Sequence, residues 1–189
     1  MATLWYEWHC GMAHFRLGDL RQSLKQLSYL EKHINLMYED CLDFFYCSMR
    51  RTTLNHYLQM WDYQNKLYEG KWPTKSAITI LKVIKRIRRD VASDKDKITA
   101  VKAEHAAYLK SDEHTKWLKE WDEKDEDLNE LRNDPDPKGW DMYLQVLEDP
   151  TGYYLRFAEK TAAANPGSAE LQVKGLDLFI AADKTESAL

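Results

Sequence analysis

Apolar side chains return every three to four positions along most of the chain, the spacing that puts them on one face of an α-helix. The pattern predicts helices near residues 3–17, 20–35, 42–69, 75–89, 97–132, 141–148, 151–164 and 168–182. In the second of these the apolar stripe is Leu20, Leu24, Leu27, Leu30 and Ile34; in the third it is Phe45, Met49, Leu54, Leu58 and Trp61. Helix-stopping residues fall between the periodic runs, at Gly18-Asp19, Gly70, Pro73, Pro135, Pro137, Pro150 and Pro166-Gly167. No stretch alternates apolar and polar residues as a half-buried strand does. The expected fold class is all-α.

Small residues then suggest how the helices pair. Gly11 lies in the first predicted helix, Gly18-Asp19 follows as a turn, and Ser23 lies in the second helix, with Trp5, Trp8 and Phe15 around them. This arrangement resembles the tetratricopeptide repeat, in which small residues let two helices approach closely at their crossing. The same grammar returns late in the chain, where Asn165-Pro166 closes one unit, Gly175 is the next small residue, Asp183 marks a turn and Ser187 follows. The expectation is a stack of helical hairpins in an α-α superhelix, interrupted by the long 42–69 helix. Such a repeat buries its apolar face only against a neighbour, so the chain reads as a piece of a longer solenoid. Three stretches are expected within it: 1–92, with the hairpin, the long helix and a basic helix; 93–136, a charged connector; and 137–189, a second set of repeat-like helices.

Composition narrows the function. Of 189 residues, Lys and Arg number 27 and Asp and Glu 31, so the formal charge is -4, unlike the basic domains that bind nucleic acid. A 44% hydrophobic content excludes a disordered chain, and 7 Gly with 5 Pro provide too few turns for a sheet-rich fold. Cys10, Cys41 and Cys47 form no C-x-x-C pair, and the three read as reduced, packed thiols. Neither a signal sequence nor a membrane span is legible, because Lys82, Lys85 and Arg86 break the longest apolar run. A cytoplasmic location is expected, with no membrane and no specific DNA partner.

Motifs for chemistry are missing. The six histidines show neither H-E-x-x-H nor a third ligand in reach of a pair, and no P-loop, G-x-S-x-G or G-x-G-x-x-G occurs. The carboxylates lie on charged faces beside lysines. No catalytic, metal-binding or cofactor-binding residues are therefore expected.

Three groups remain as candidate partner contacts. Lys82, Lys85, Arg86 and Arg89 share one helical face, opposite Ile80, Val83, Ile84 and Ile87. That face is either a solvated helix surface or a site for RNA phosphates or an acidic partner. Arg50 and Arg51 are adjacent in an otherwise apolar helix, where bidentate bonding to carboxylates suits arginine, within the chain or across an interface. Trp117 and Trp121 begin a thin apolar stripe, continued by Leu128 and Leu131, through a field of Lys, Asp and Glu. It is either a solvated bridging helix held by pairs such as Glu120 with Lys124, or an aromatic dock for another chain.

The run Asp43-Phe44-Phe45-Tyr46-Cys47-Ser48-Met49-Arg50-Arg51-Thr52-Thr53-Leu54-Asn55-His56-Tyr57 resembles a signature of the auxiliary subunit of the NatA N-terminal acetyltransferase. Leu24-Lys25-Gln26 through Glu31-Lys32-His33-Ile34 is similar to the family's approach to that signature. Trp72 to Lys75 with Ser76-Ala77 is similar to its continuation, and Leu131-Arg132-Asn133 and Asp136-Pro137-Lys138-Gly139 follow in family order. The resemblance implies a non-catalytic helical-repeat scaffold holding a catalytic acetyltransferase subunit. In that family the complex acetylates the α-amino group of nascent chains beginning with small residues, with acetyl-CoA on the catalytic subunit. It further implies contact with the ribosome and nascent chain. Asp43, Phe44, Met49, Thr53, Leu54 and Tyr57 then serve mainly as fold residues, and the isolated piece is expected to self-associate through its end faces. A generic tetratricopeptide adaptor is the alternative. The chain departs from the family after Leu131-Arg132-Asn133, running straight into Asp134-Pro135-Asp136-Pro137 without the family's lysine-rich stretch.

Overall fold

Helix α1 (Ala2–Leu17) ends where Gly18 takes a φ of +86°, a left-handed conformation that glycine adopts without a Cβ clash. The Gly18 and Asp19 N–H groups donate back to the carbonyls of Phe15 and His14. Asp19 then caps the next helix, its Oδ1 accepting from the Gln22 N–H at 3.0 Å. Helix α2 covers residues 20–34, and its stripe of Leu20, Leu24, Leu27, Leu30 and Ile34 is buried as the periodicity predicts. At the α1–α2 crossing the Ser23 hydroxyl donates to the Gly11 carbonyl at 2.8 Å. A Cβ at Gly11 would stand 2.7 Å from Leu27 Cγ, so the small residue is what lets the helices meet. The computed structural model describes residues 2–34, 62, 66–122 and 136–181, and among these every regular element is helical.

Helix α3 (Lys71–Ile87) is the hub, in contact with α1 and with the three helices that close the described chain. Ile80, Val83, Ile84 and Ile87 are all buried, as are Ser76, Ala77 and Thr79 on the same broad face one turn earlier. Two expectations need correction here. The helix starts at Lys71 rather than near 75, with Pro73 inside its first turn, where the missing N–H has no helical partner to lose. Residues 66–69 form turns rather than the end of the 42–69 helix. The rest of that helix, except Asp62, lies outside the described residues, with Cys41, Cys47 and the Asp43–Tyr57 signature.

After α3 the backbone widens into a π-helical turn, Arg88–Ala92. In the described part of the single helix expected over 97–132 there are two helices, α4 (Lys95–Leu109) and α5 (Asp112–Asp122), and residues 123–132, with Leu128 and Leu131, lie outside the described residues. Ser111 explains the break: its hydroxyl accepts from the His114 N–H at 3.2 Å, an N-cap followed by the acidic first turn Asp112-Glu113. Helix α4 buries no residue fully, and only its stripe of Ile98, Val101, His105 and Tyr108 is half-buried.

Helices α6 (Trp140–Glu148), α7 (Pro150–Ala164) and α8 (Ala169–Ala181) complete the described fold. Pro150 opens α7 behind the Asp149 cap, which accepts from the Thr151 N–H. Asn165 ties the α7–α8 turn to the rest of the molecule by donating to the Tyr68 carbonyl at 2.7 Å. Asp136 accepts from the N–H groups of Trp140, Asp141 and Met142 at 2.8, 3.0 and 3.3 Å. This turn sits on α2, where Arg21 donates to the Lys138 carbonyl and lies 4.5 Å over the Trp140 ring. No described helix is long and apolar enough to cross a membrane.

Candidate functional site

Lys82, Lys85 and Arg89 line a groove of about 500 Å³ between α3 and α8, beside Arg88 and Lys174. Its apolar lining is Leu81, Leu178 and Ile180. The helix period puts these cations on the solvent side because the opposite side of α3 is core. Each has a carboxylate or carbonyl nearby: Lys82 to Glu170 at 3.2 Å, Lys85 to Asp177 at 3.3 Å, and Arg88 to the Leu178 carbonyl at 3.4 Å. Arg89 pairs with Asp90 at 2.6 Å. That bond, with help from Arg86, holds the Asp90 carboxyl below its ordinary value and raises the Arg89 guanidinium.

Arg86 shares the helical face but not the groove. It donates to the Phe15 carbonyl at 3.0 Å, lies over the Phe15 ring and reaches Asp90 at 3.3 Å, which ties α3 to the end of α1. It lines a second, more polar hollow of about 380 Å³ with Asp19, Arg21, Asp90, Glu104 and Tyr143.

The other predicted contacts divide. Trp117 is half-buried and its ring stacks on His114 with centroids 5.7 Å apart, so part of the aromatic surface is used within the chain. The Trp121 side chain, Arg50, Arg51, Asp183 and Ser187 lie outside the described residues, as do the signature residues Asp43, Phe44, Met49, Thr53, Leu54 and Tyr57.

One cluster was not foreseen as a site. Trp8 and Trp72 meet with centroids 5.9 Å apart, and His9 touches both. The Lys75 ammonium stands 4.7 Å over Trp8 and 5.3 Å over Trp72, a cation–π arrangement. The Trp8 indole N–H donates to Thr79 Oγ1 at 3.1 Å, and Trp5 and Tyr6, 47% and 55% exposed, extend the aromatic surface outward. The signal was present as Trp5, Trp8 and Trp72, but a separation of 64 positions between Trp8 and Trp72 hides their contact. Below them Glu7 faces His33 at 3.6 Å, and burial raises the Glu7 carboxyl against the pull of that histidine.

Among the described residues no three His, Cys, Asp or Glu side chains are grouped so as to hold a metal ion. The geometry offers helix faces, a basic-rimmed groove and an aromatic patch, which are means of holding other macromolecules.

Residues 1–89 match the family described as N-terminal acetyltransferase A, auxiliary subunit. The auxiliary subunit of the N-terminal acetyltransferase A complex of Arabidopsis thaliana is 34% identical over 82 residues. That match takes in 43% of this chain and spans 9% of the length of the plant protein. No solved structure matches the chain.

Proposed function

We propose, from the match of residues 1–89 to the family of N-terminal acetyltransferase A auxiliary subunits, that the chain acts as a non-catalytic scaffold within such a complex, holding the catalytic subunit. The family is that of an auxiliary rather than a catalytic subunit. On this reading acetyl-CoA is bound by the partner, the reaction is acetylation of the α-amino group of nascent chains, and the complex works in the cytoplasm near the ribosome.

The observation that carries the reading is the match across 1–89, which takes in both the α1–α2 hairpin and the hub helix α3. What supports a scaffold is rigidity where two helices meet: the Gly11–Ser23 contact and the buried stripe of α2 leave that hairpin little freedom to repack. A scaffold of this kind works by presenting fixed surfaces, so its partner's site is shaped without a catalytic group of its own.

A second reading, a tetratricopeptide adaptor outside any acetyltransferase complex, is favoured by the same Gly11–Ser23 crossing, which is the packing that repeat requires. Affinity purification of the tagged protein from its own cells, followed by mass spectrometry, separates the two. Stoichiometric recovery of an acetyltransferase is the expected result. Recovery of other partners without any acetyltransferase overturns the first reading in favour of the adaptor.

A further inference from the structure

We propose that the groove between α3 and α8 is a docking site for an acidic amphipathic helix of a partner protein. The inference rests on the groove itself and not on the family assignment. Five cations, Lys82, Lys85, Arg88, Arg89 and Lys174, surround the groove against three carboxylates, Asp177 in the lining with Glu170 and Asp90 beside it, so positive charge is in excess there even with the ion pairs counted. This local excess of positive charge stands out in a chain whose formal charge is -4. The apolar part does not stop at the groove. Ile180 lines it and also belongs to an outward stripe on α8, with Val173, Leu176 and Ile180 at 58%, 46% and 54% exposure.

Those three positions follow the i, i+3, i+7 spacing of one helical face, so the ligand that matches them is a second helix laid alongside α8. Aliphatic anchors on that helix would rest on Leu176 and Ile180, and its flanking carboxylates would face Lys82 and Lys85. The existing ion pairs at the rim do not block this. Lys82–Glu170 and Lys85–Asp177 join exposed side chains in water, where such pairs contribute little and exchange readily. A volume of about 500 Å³ lies in the range of about 300–1,000 Å³ usual for ligand pockets. Nucleic acid fits less well: phosphates gain nothing from the apolar floor, and among the described residues none that lines the groove is aromatic, so these offer bases no stacking platform.

The test uses the whole 189-residue chain and a fluorescein-labelled synthetic helix of roughly 15 residues, about four turns. The peptide is built of Leu, Glu and Ala, with leucines three and four apart and glutamates on both flanks. Fluorescence polarisation should show saturable binding that weakens with added salt and falls roughly tenfold when the order of the same residues is scrambled. Ile180→Ser and the double change Lys82→Ala with Lys85→Ala should each weaken binding roughly tenfold, while Ile180→Leu preserves it. Leu176→Ser, on the exposed stripe, provides a second apolar variant should Ile180→Ser lose helical circular dichroism. Equal affinity for the scrambled peptide overturns the proposal, as does indifference to both the apolar and the lysine changes. An RNA oligonucleotide that binds more tightly than the peptide, and ignores Ile180→Ser while losing affinity in the lysine variant, assigns the groove to phosphates instead. A chain that sediments as a dimer, becomes monomeric on Ile180→Ser and ignores the peptide assigns the face to self-association.

Discussion

Replacing Gly11 by alanine tests the packing on which the first hairpin depends. In an unconstrained helix interior this change stabilises by about 1 kcal/mol, because alanine loses less backbone freedom than glycine on folding. Here the new Cβ would lie 2.7 Å from Leu27 Cγ and 2.8 Å from Leu27 Cδ2. Carbon atoms in contact prefer about 3.5–4.0 Å, so one of the two helices has to move by about 1 Å or Leu27 has to change rotamer. Leu27 is fully buried among the other apolar residues of α2, and the Ser23 hydroxyl holds the Gly11 carbonyl at 2.8 Å, so neither adjustment is free. Forcing an extra methyl into such a site costs about 1–3 kcal/mol. Set against the propensity gain, the net expectation is a loss of about 1 kcal/mol, which in a chain of this size lowers Tm by about 2–4 °C.

Urea unfolding of the wild type, Gly11→Ala, Leu27→Ala and the double variant completes the argument. Leu27→Ala alone should cost about 2–5 kcal/mol through its cavity. The double variant should lose less than the sum of the singles, by about 0.5–2 kcal/mol, since the alanine methyl then occupies space the leucine has left. Gly167→Ala is the control, because a Cβ there meets nothing within 4 Å. An increase in stability for Gly11→Ala, or strict additivity in the double variant, would refute the close crossing of α1 and α2.

Asp136→Ala removes the acceptor of three N–H groups at the start of α6, and urea unfolding should register a loss of about 1–2 kcal/mol. Thr79→Val keeps the shape of a buried residue but strands the Trp8 indole N–H, so a loss of about 1 kcal/mol is expected, with a shift in tryptophan emission. Asp90 has a native carboxyl held below its reference value of 3.8, chiefly by Arg89. Its contribution is therefore present above that value and is lost as pH falls through the lower native one. Thermal scans should show Asp90→Asn converging on the wild type at the acid end, and a constant gap at all pH values would contradict the pairing. Asn165→Ala should free the α7–α8 turn from Tyr68, seen as faster amide exchange at positions 165, 167 and 168 with little change at α2.

Much of the architecture was legible before any coordinates, because helical burial repeats with a period the sequence displays directly. The α2 stripe from Leu20 to Ile34, the turn at Gly18-Asp19 and the core side of α3 all follow from spacing and capping alone. The small residues Gly11 and Ser23 were legible for the same reason, since close approach needs the absence of side chain at fixed offsets. Periodicity gives way where a local capping or helix-starting residue competes with it. Ser111 ends one helix and caps the next, although the apolar spacing runs on through it, and Pro73 opens the first turn of α3 instead of lying before it.

What the tertiary structure decided is which distant residues meet, since no local period encodes a contact across 60 or more positions. Lys82 and Lys85 share a face in the sequence, but only the placement of α8 sets Glu170 and Asp177 against them and makes a groove from one helix surface. Arg86, on that same face, is drawn instead to the end of α1 because the Phe15 carbonyl lies within its reach. Trp8 and Trp72 become one surface, and Lys75 settles over both, only once α1 and α3 are packed together. Periodicity thus determined the helices and their buried sides, whereas the surfaces available to partners arose from how those helices were set against one another.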